Sequence, residues 1–199
     1  MKNIVLFCML ISLPFLVKAQ DEGFETIGRE NEKVKVSGFA GPAMSFTSID
    51  GTFAHMMGGG AGVIINNFFL GGYGMGKTTE MIYKNDPSYI MTYGHGGFWL
   101  GYTFKPNKAI HPVVHTQLGW GSIGKRPKDF DFETNPSNID RVFVVCPTLE
   151  LELNFSQFFK VGTGVKYSFV YNSGSAISAY TFDDFSKAGF FLSLKFGWF

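Results

Sequence analysis

The sequence predicts an all-β protein, a closed antiparallel up-and-down barrel of about eight strands that crosses a membrane. Three observations carry this. From about residue 34 onward, apolar side chains alternate with small or polar ones, and a period of two puts the two sets on opposite faces of a strand. The small-and-polar parity is rich in glycine and poor in charge, which suits a narrow interior better than a water-facing surface. Past the N-terminal segment, no apolar run reaches the roughly 20 residues of a membrane helix, and only helices and closed barrels satisfy their backbone groups in lipid.

The N-terminus has its own logic. Residues 1–19 read as a secretory signal peptide: Lys2 gives the charged start, Ile4 to Val17 the apolar run, and Val17-Lys18-Ala19 a small residue before Gln20. A short uncleaved anchor is the other reading of that run. Cys8 lies inside it with no small residues before it, which argues against a lipidated cysteine. Residues 20–33 predict a short periplasmic tail, and residues 34–199 a single barrel domain. Loss of Lys2 and Lys18 lowers Lys+Arg from 17 to 15 against 16 Asp+Glu, a net charge near −1. That balance speaks against nucleic acid and against a polybasic membrane-surface patch. Cys146 is then the one cysteine left, which excludes an internal disulfide.

Each strand-like run follows from its own alternation. The first, 34–47, sets Val34, Val36, Ala40 and Met44 against Lys35 and Ser37, with Pro42 marking a strand end or bulge. The second, 56–65, sets Met57, Ala61, Val63 and Ile65 against glycines and stops at Asn66-Asn67, a two-residue turn signal. The third, 68–79, is so glycine-rich that its parity is ambiguous. The fourth, 89–104, sets Phe98, Leu100, Tyr102 and Phe104 against His95, Gly97, Trp99 and Thr103. The fifth, 110–122, sets Val114, Leu118 and Trp120 against His115, Gln117 and Gly119. The sixth, 141–154, sets Phe143, Val145, Leu149, Leu151 and Leu153 against Thr148, Glu150, Glu152 and Asn154. The seventh, 158–171, sets Phe159, Val161, Val165, Tyr167, Phe169 and Tyr171 against Lys160, Gly162, Gly164, Lys166 and Ser168. The eighth, 186–199, carries Phe190, Leu192, Leu194, Phe196 and Trp198 on one parity; Gly189, Ser193, Lys195 and Gly197 lie on the other, with Phe191 the exception.

The connections near 66, 106 and 156 are short. Those at 48–55, 80–88, 123–140 and 172–185 are longer and carry Asp, Asn, Ser, Gly and Pro. This alternation is how membrane barrels are strung. A soluble eight-stranded barrel, with the apolar parity turned inward, would leave a glycine-rich, charge-poor surface in water.

The signal peptide, eight amphipathic strands, alternating loops and terminal Phe199 resemble the small outer-membrane barrels of the OmpA/OmpX type. With 25 glycines and 23 phenylalanines, the chain is also similar in style to the Bacteroidetes-like "outer membrane protein beta-barrel domain" family. The resemblance covers about 34–199 and carries no catalytic motif. It implies a Gram-negative outer-membrane location, contact with outer-membrane lipid and lipopolysaccharide, and barrel-assembly machinery that reads the last strand. Phe199, Trp198 and Phe196 are the candidate assembly signal. The family places aromatics at every second position back from the end, whereas this chain has Gly197 and Lys195 there. The function expected is non-enzymatic: a structural, adhesive or accessory barrel presenting surface loops, without cofactor. The alternatives are a lipid-modifying enzyme using His95 or His115, and an accessory subunit of an envelope export or assembly machine with protein partners.

Several constellations bear on chemistry. Lys35, Glu150, Glu152, Lys160, Lys166, Lys195 and His115 are the candidate polar network of the lumen, where charges need partners; Lys77 shares the polar parity. Glu150 and Glu152 are expected to face Lys160 and Lys166, with Lys35 and Lys195 brought close by closure. An ion-conducting lumen is the other reading of these charges. His95, His111 and His115 share one parity with Trp99, and pairing across the 105–109 turn sets Trp99 near His115. No cysteine accompanies them and no carboxylate lies on their own strands, so they predict lumen filling rather than a metal or catalytic site. Gly71 to Thr78 (GGYGMGKT) matches the phosphate-loop pattern letter for letter, but strand-like neighbours and Asp86-Pro87 leave no room for the helix that pattern needs. Asp129, Asp131 and Glu133 alternate like the start of a calcium loop, yet Thr134 stands where glycine is required.

Overall fold

Among the described residues, period-two alternation becomes ten strands, β1 Val36–Ile49, β2 Thr52–Ile65, β3 Phe68–Lys77, β4 Ile82–Tyr83, β5 Asp86–Thr103, β6 Ile110–Pro127, β7 Ser137–Asn154, β8 Phe159–Tyr167, β9 Phe169–Asn172 and β10 Ala188–Trp198, with one short helix, α1 Phe182–Phe185. The computed structural model describes residues 34–84, 86–128, 137–172 and 180–199. The signal peptide, the 20–33 tail and Asp129, Asp131 and Glu133 lie outside the described residues.

Eight of the strands form a ring. The order runs β3-β2-β1-β10-β8-β7-β6-β5, and β3 pairs with β5 to close it. All these pairs are antiparallel. Closure leaves no free edge to template pairing with another chain. Ser168 interrupts the seventh run, and β9 resumes the ladder on β7.

Parity decides which side chains see lipid. Leu149, Leu151, Val165, Phe190 and Trp198 face outward and are exposed. Trp99, Gln117, Glu150, Phe191 and Lys195 face inward and are buried. Phe191 departs from the polar parity of its strand because it fills the lumen beside Trp99, with ring centroids 6.1 Å apart. The third run, ambiguous in sequence, resolves with Phe69, Tyr73 and Met75 inside.

The outward apolar band on β6 runs from Ile110 to Trp120, matching the roughly 9–11 residues a tilted strand needs to span. Trp120 meets Phe143 of β7 at 5.5 Å, and Ser122 and Arg141 pair just beyond them. Aromatics concentrate where a barrel wall leaves the hydrocarbon, so the 18-residue strands β5, β6 and β7 continue past the bilayer on the loop side. At the opposite end, Phe158 meets Trp198 at 5.5 Å.

One expected long loop does not exist. Ile49 pairs with Thr52, so β1 and β2 are joined by Asp50-Gly51 alone, both with positive φ (47° and 75°). That backbone is the two-residue hairpin turn favoured by Asp-Gly. The expected loop at 80–88 likewise contains β4, which folds back on β5.

Candidate functional site: the barrel lumen

The turn-side half of the lumen holds an ion cluster. Glu150 and Glu152 point inward from β7. β8 lies between β7 and β10, and its residues opposite the two carboxylates are Gly164 and Gly162. With no side chain at either position, groups on β10 reach across. Lys195 Nζ lies 3.2 Å from Glu150 Oε2 and 2.7 Å from Glu152 Oε2. Ser193 Oγ donates to Glu150 Oε1. A Cβ at Gly162 would overlap that same Glu150 oxygen, so any side chain there would displace the carboxylate from its place over β8.

The remaining oxygens are also engaged. Lys160 Nζ and His111 Nε2 each lie 3.1 Å from Glu152 Oε1. Trp99 Nε1 donates to His115 Nδ1 at 3.0 Å, which leaves the His115 proton on Nε2 in the neutral ring. Nε2 sits 3.1 Å from Glu150 Oε2, though off the direction of a hydrogen bond. Above this cluster, the rings of Phe39, Phe69 and Trp99 surround the Lys195 ammonium at 5.8, 5.5 and 5.5 Å, within cation–π range. Burying charge in this way is tolerable only because each carboxylate is paired and hydrogen-bonded.

Two of the expected members behave otherwise. Lys35 is exposed and precedes β1; its backbone N–H donates to Asn66 Oδ1 at 2.9 Å. The strand starts one residue too late to carry it into the lumen. Lys166 is buried inside, but its Nζ has no partner. Register is the cause: Lys166 pairs with Thr148, offset toward the loop side from Glu150 and Glu152. Of the two lysines of the seventh run expected to face the acids, Lys160 meets Glu152 and Lys166 meets neither, while Lys195, expected nearby through closure, bridges both carboxylates from two strands away. Sequence reading also missed Ser193, whose only signal was its place on the inner parity of the last strand.

The loop-side half is closed by apolar groups. Met81, Tyr83, Met91, Tyr93, Ile123, Val142 and Phe185 are all buried there. Phe185 enters from α1 and meets Tyr93 and Tyr180 at 5.3 and 5.9 Å. Asp184 fixes the start of α1 by accepting from Thr181 N at 2.7 Å and Thr181 Oγ1 at 3.0 Å, as in a capping box. Asp50 N donates to Asp184 O at 3.2 Å and Lys84 N to Tyr180 Oη at 3.1 Å. At the surface, the Asp50 carboxylate 2.9 Å from Lys84 holds that ammonium above the usual lysine range.

The remaining candidates fall in place. His95 pairs with Tyr73 Oη at 2.9 Å, apart from His111 and His115. Among the described residues, no group of three or more His, Cys, Asp or Glu is placed to hold a metal ion. GGYGMGKT lies in and just after β3, which is paired on both sides, so its backbone N–H groups serve ladders rather than phosphate. Trp198 and Phe196 face outward, while the Phe199 ring lies 4.1 Å from Lys160 Nζ.

A closed eight-stranded ring with an apolar outer wall and an ion-paired interior is a transmembrane β-barrel. No protein-family model matches the sequence, and no curated protein does. Solved barrels share its fold. Neisserial surface protein A is 14% identical, with 84% of this chain and 99% of that one covered at a TM-score of 0.57. The N-terminal β-barrel domain of Pseudomonas aeruginosa OprF is 11% identical, with 83% and 100% covered at 0.55. Ail, the attachment invasion locus protein of Yersinia pestis, in complex with the heparin analogue sucrose octasulfate, is 13% identical, with 84% and 100% covered at 0.51. At these identities the likeness is one of fold.

Proposed function

We propose that the chain is exported through its N-terminal segment, inserted in a Gram-negative outer membrane among lipid and lipopolysaccharide, and acts there as a non-enzymatic structural or adhesive barrel whose lumen is closed. The observation that carries the closed lumen is Lys195 held between Glu150 and Glu152 beneath the Phe185 plug. An eight-stranded barrel has an interior that side chains fill. The inward-facing histidines, bonded to Tyr73, Glu152 and Trp99, support a non-enzymatic role, because none is turned toward lipid. The attachment named for Ail supports an adhesive reading of the loop-side end. The glycine- and phenylalanine-rich wall supports kinship with the Bacteroidetes-like barrels.

The test is reconstitution of the barrel in planar bilayers, where no steady conductance is expected. Stable ion-selective channels that respond to Glu150→Gln with Glu152→Gln would replace the closed barrel with a transport function. Export is tested by N-terminal sequencing of membrane-extracted protein, expected to begin at Gln20. Assembly is assigned to the last strand, with Phe199, Trp198 and Phe196 as its signal. Deleting Phe199 is expected to lower the yield of heat-modifiable folded protein; an unchanged yield would leave the signal with Trp198 and Phe196.

A further inference from the structure

Between the ion cluster and the apolar plug lies a polar level that neither explains. Lys166 Nζ is buried there without a partner. So are both polar atoms of Gln117 and the hydroxyl of Ser45, residues that are fully buried and face inward from β6 and β1. The walls beside Lys166 are small: Gly164 precedes it on the same face, Gly189 and Thr148 are its strand partners, and Ser168 follows. The charges do not cancel. Among the described residues, the membrane-spanning part of the lumen buries the acids Glu150 and Glu152 against three lysines, Lys160, Lys166 and Lys195. The further buried acid, Asp140, lies beyond Phe143, past the apolar band. Protonation of any histidine only enlarges the positive excess. An isolated buried ammonium is strongly unfavourable, and so is a buried donor whose hydrogen bond is not made.

We infer that this level holds a small monovalent inorganic anion, of halide or nitrate size, bound by Lys166 with the Gln117 amide and the Ser45 hydroxyl. The donors outnumber the acceptors, the missing charge is one, and the position is enclosed between two closed ends. The anion is a structural counter-ion locked in place when the barrel closes, and this holds whether or not the protein is an adhesin.

The probe is bromide. Crystals of the folded barrel grown with bromide are expected to show an anomalous peak within hydrogen-bond reach of Lys166 Nζ. At constant ionic strength, the unfolding temperature in detergent is expected to be higher in bromide than in gluconate, by roughly 3 °C or more at tenfold the dissociation constant. Lys166→Met is expected to lose both the peak and the dependence. Should that variant not fold, Gln117→Leu is expected to weaken the bromide dependence several-fold while retaining the lysine. Water alone at Lys166, or equal unfolding temperatures in the two salts for the wild type, overturns the inference.

Discussion

The two ends of the lumen are filled by opposite means. On the turn side, Glu150 and Glu152 are tied to Lys195, Lys160 and the flanking histidines. On the loop side, Phe185, Tyr93, Met91 and their neighbours form a packed apolar cluster. The first is directional and demands every partner; the second is tolerant, since apolar packing accepts approximate shapes. The charged end is built into the wall strands. The apolar end combines Met91, Tyr93, Ile123 and Val142 of the wall with Tyr83 from β4 and Phe185 from α1, elements that arise between those strands. The charged end thus depends on the wall alone, whereas the apolar end also recruits the connections.

Substitutions separate the two. Replacing Glu150 and Glu152 together by Gln strands Lys195 and Lys160, and is expected to destabilise the barrel by about 3–5 kcal/mol, read from urea titration of heat-modifiable protein in lipid vesicles. A loss below about 1 kcal/mol would mean that aromatic packing, not charge, holds the turn-side end. Gly162→Ala probes the same end sterically, by displacing Glu150 from the space it occupies over β8. A loss of about 1–3 kcal/mol is expected, the range for overpacking, and Glu150→Gln in the same chain should make the two effects non-additive.

Phe185→Ala is expected to cost about 3–5 kcal/mol locally, yet to act on the loop-side end alone. Hydrogen exchange at 180–187 should accelerate while amides of the lower β7 and β10 stay protected. Uniform acceleration would show that the two ends are one cooperative unit. The smallest effect belongs to the rim. Asp50→Asn keeps the left-handed turn that Asn tolerates and removes the ion pair with Lys84. A change too small to separate from wild type near neutral pH is expected for so exposed a pair. The sign in pH follows: Lys84 is raised, so the contribution is present below the unfolded lysine range and is lost as pH climbs through the folded value. Wild type and Asp50→Asn should therefore converge in strongly alkaline solution.

The wall was legible in sequence where side chains differ in polarity across the two parities. Glu150, Glu152 and Lys195 stand out against Leu149, Leu151 and Leu194, and their inward direction follows from period two alone. In β3 glycine erases the contrast, and parity emerges only from pairing with β2 and β5. Which lysine meets which acid was not legible, because that depends on register across an intervening strand. Lys35 failed for a related reason: where a strand begins is set by the turn opposite it, here Asn66. Phe185 and Met81 gave no periodic signal, since their burial comes from segments that fold over the mouth. Asp50-Gly51 was legible in principle, as a dipeptide whose turn chemistry outweighs the polar composition around it.

Gly162, Gly164 and Lys195 together impose an order on biogenesis. The carboxylates belong to β7, but the lysine that bridges them arrives on β10, the final strand. A nascent sheet that ends at β8 already pairs Glu152 with Lys160, but Glu150 still lacks the lysine that meets it from β10. Exposed to hydrocarbon, such a sheet is penalised; kept wet, it is not. The unfinished wall is therefore driven to stay solvated until its C-terminal segment docks, and neutralisation then coincides with sealing. A sheet lacking that segment keeps Glu150 without its lysine, which makes this carboxylate a chemical check on whether the last strand has docked.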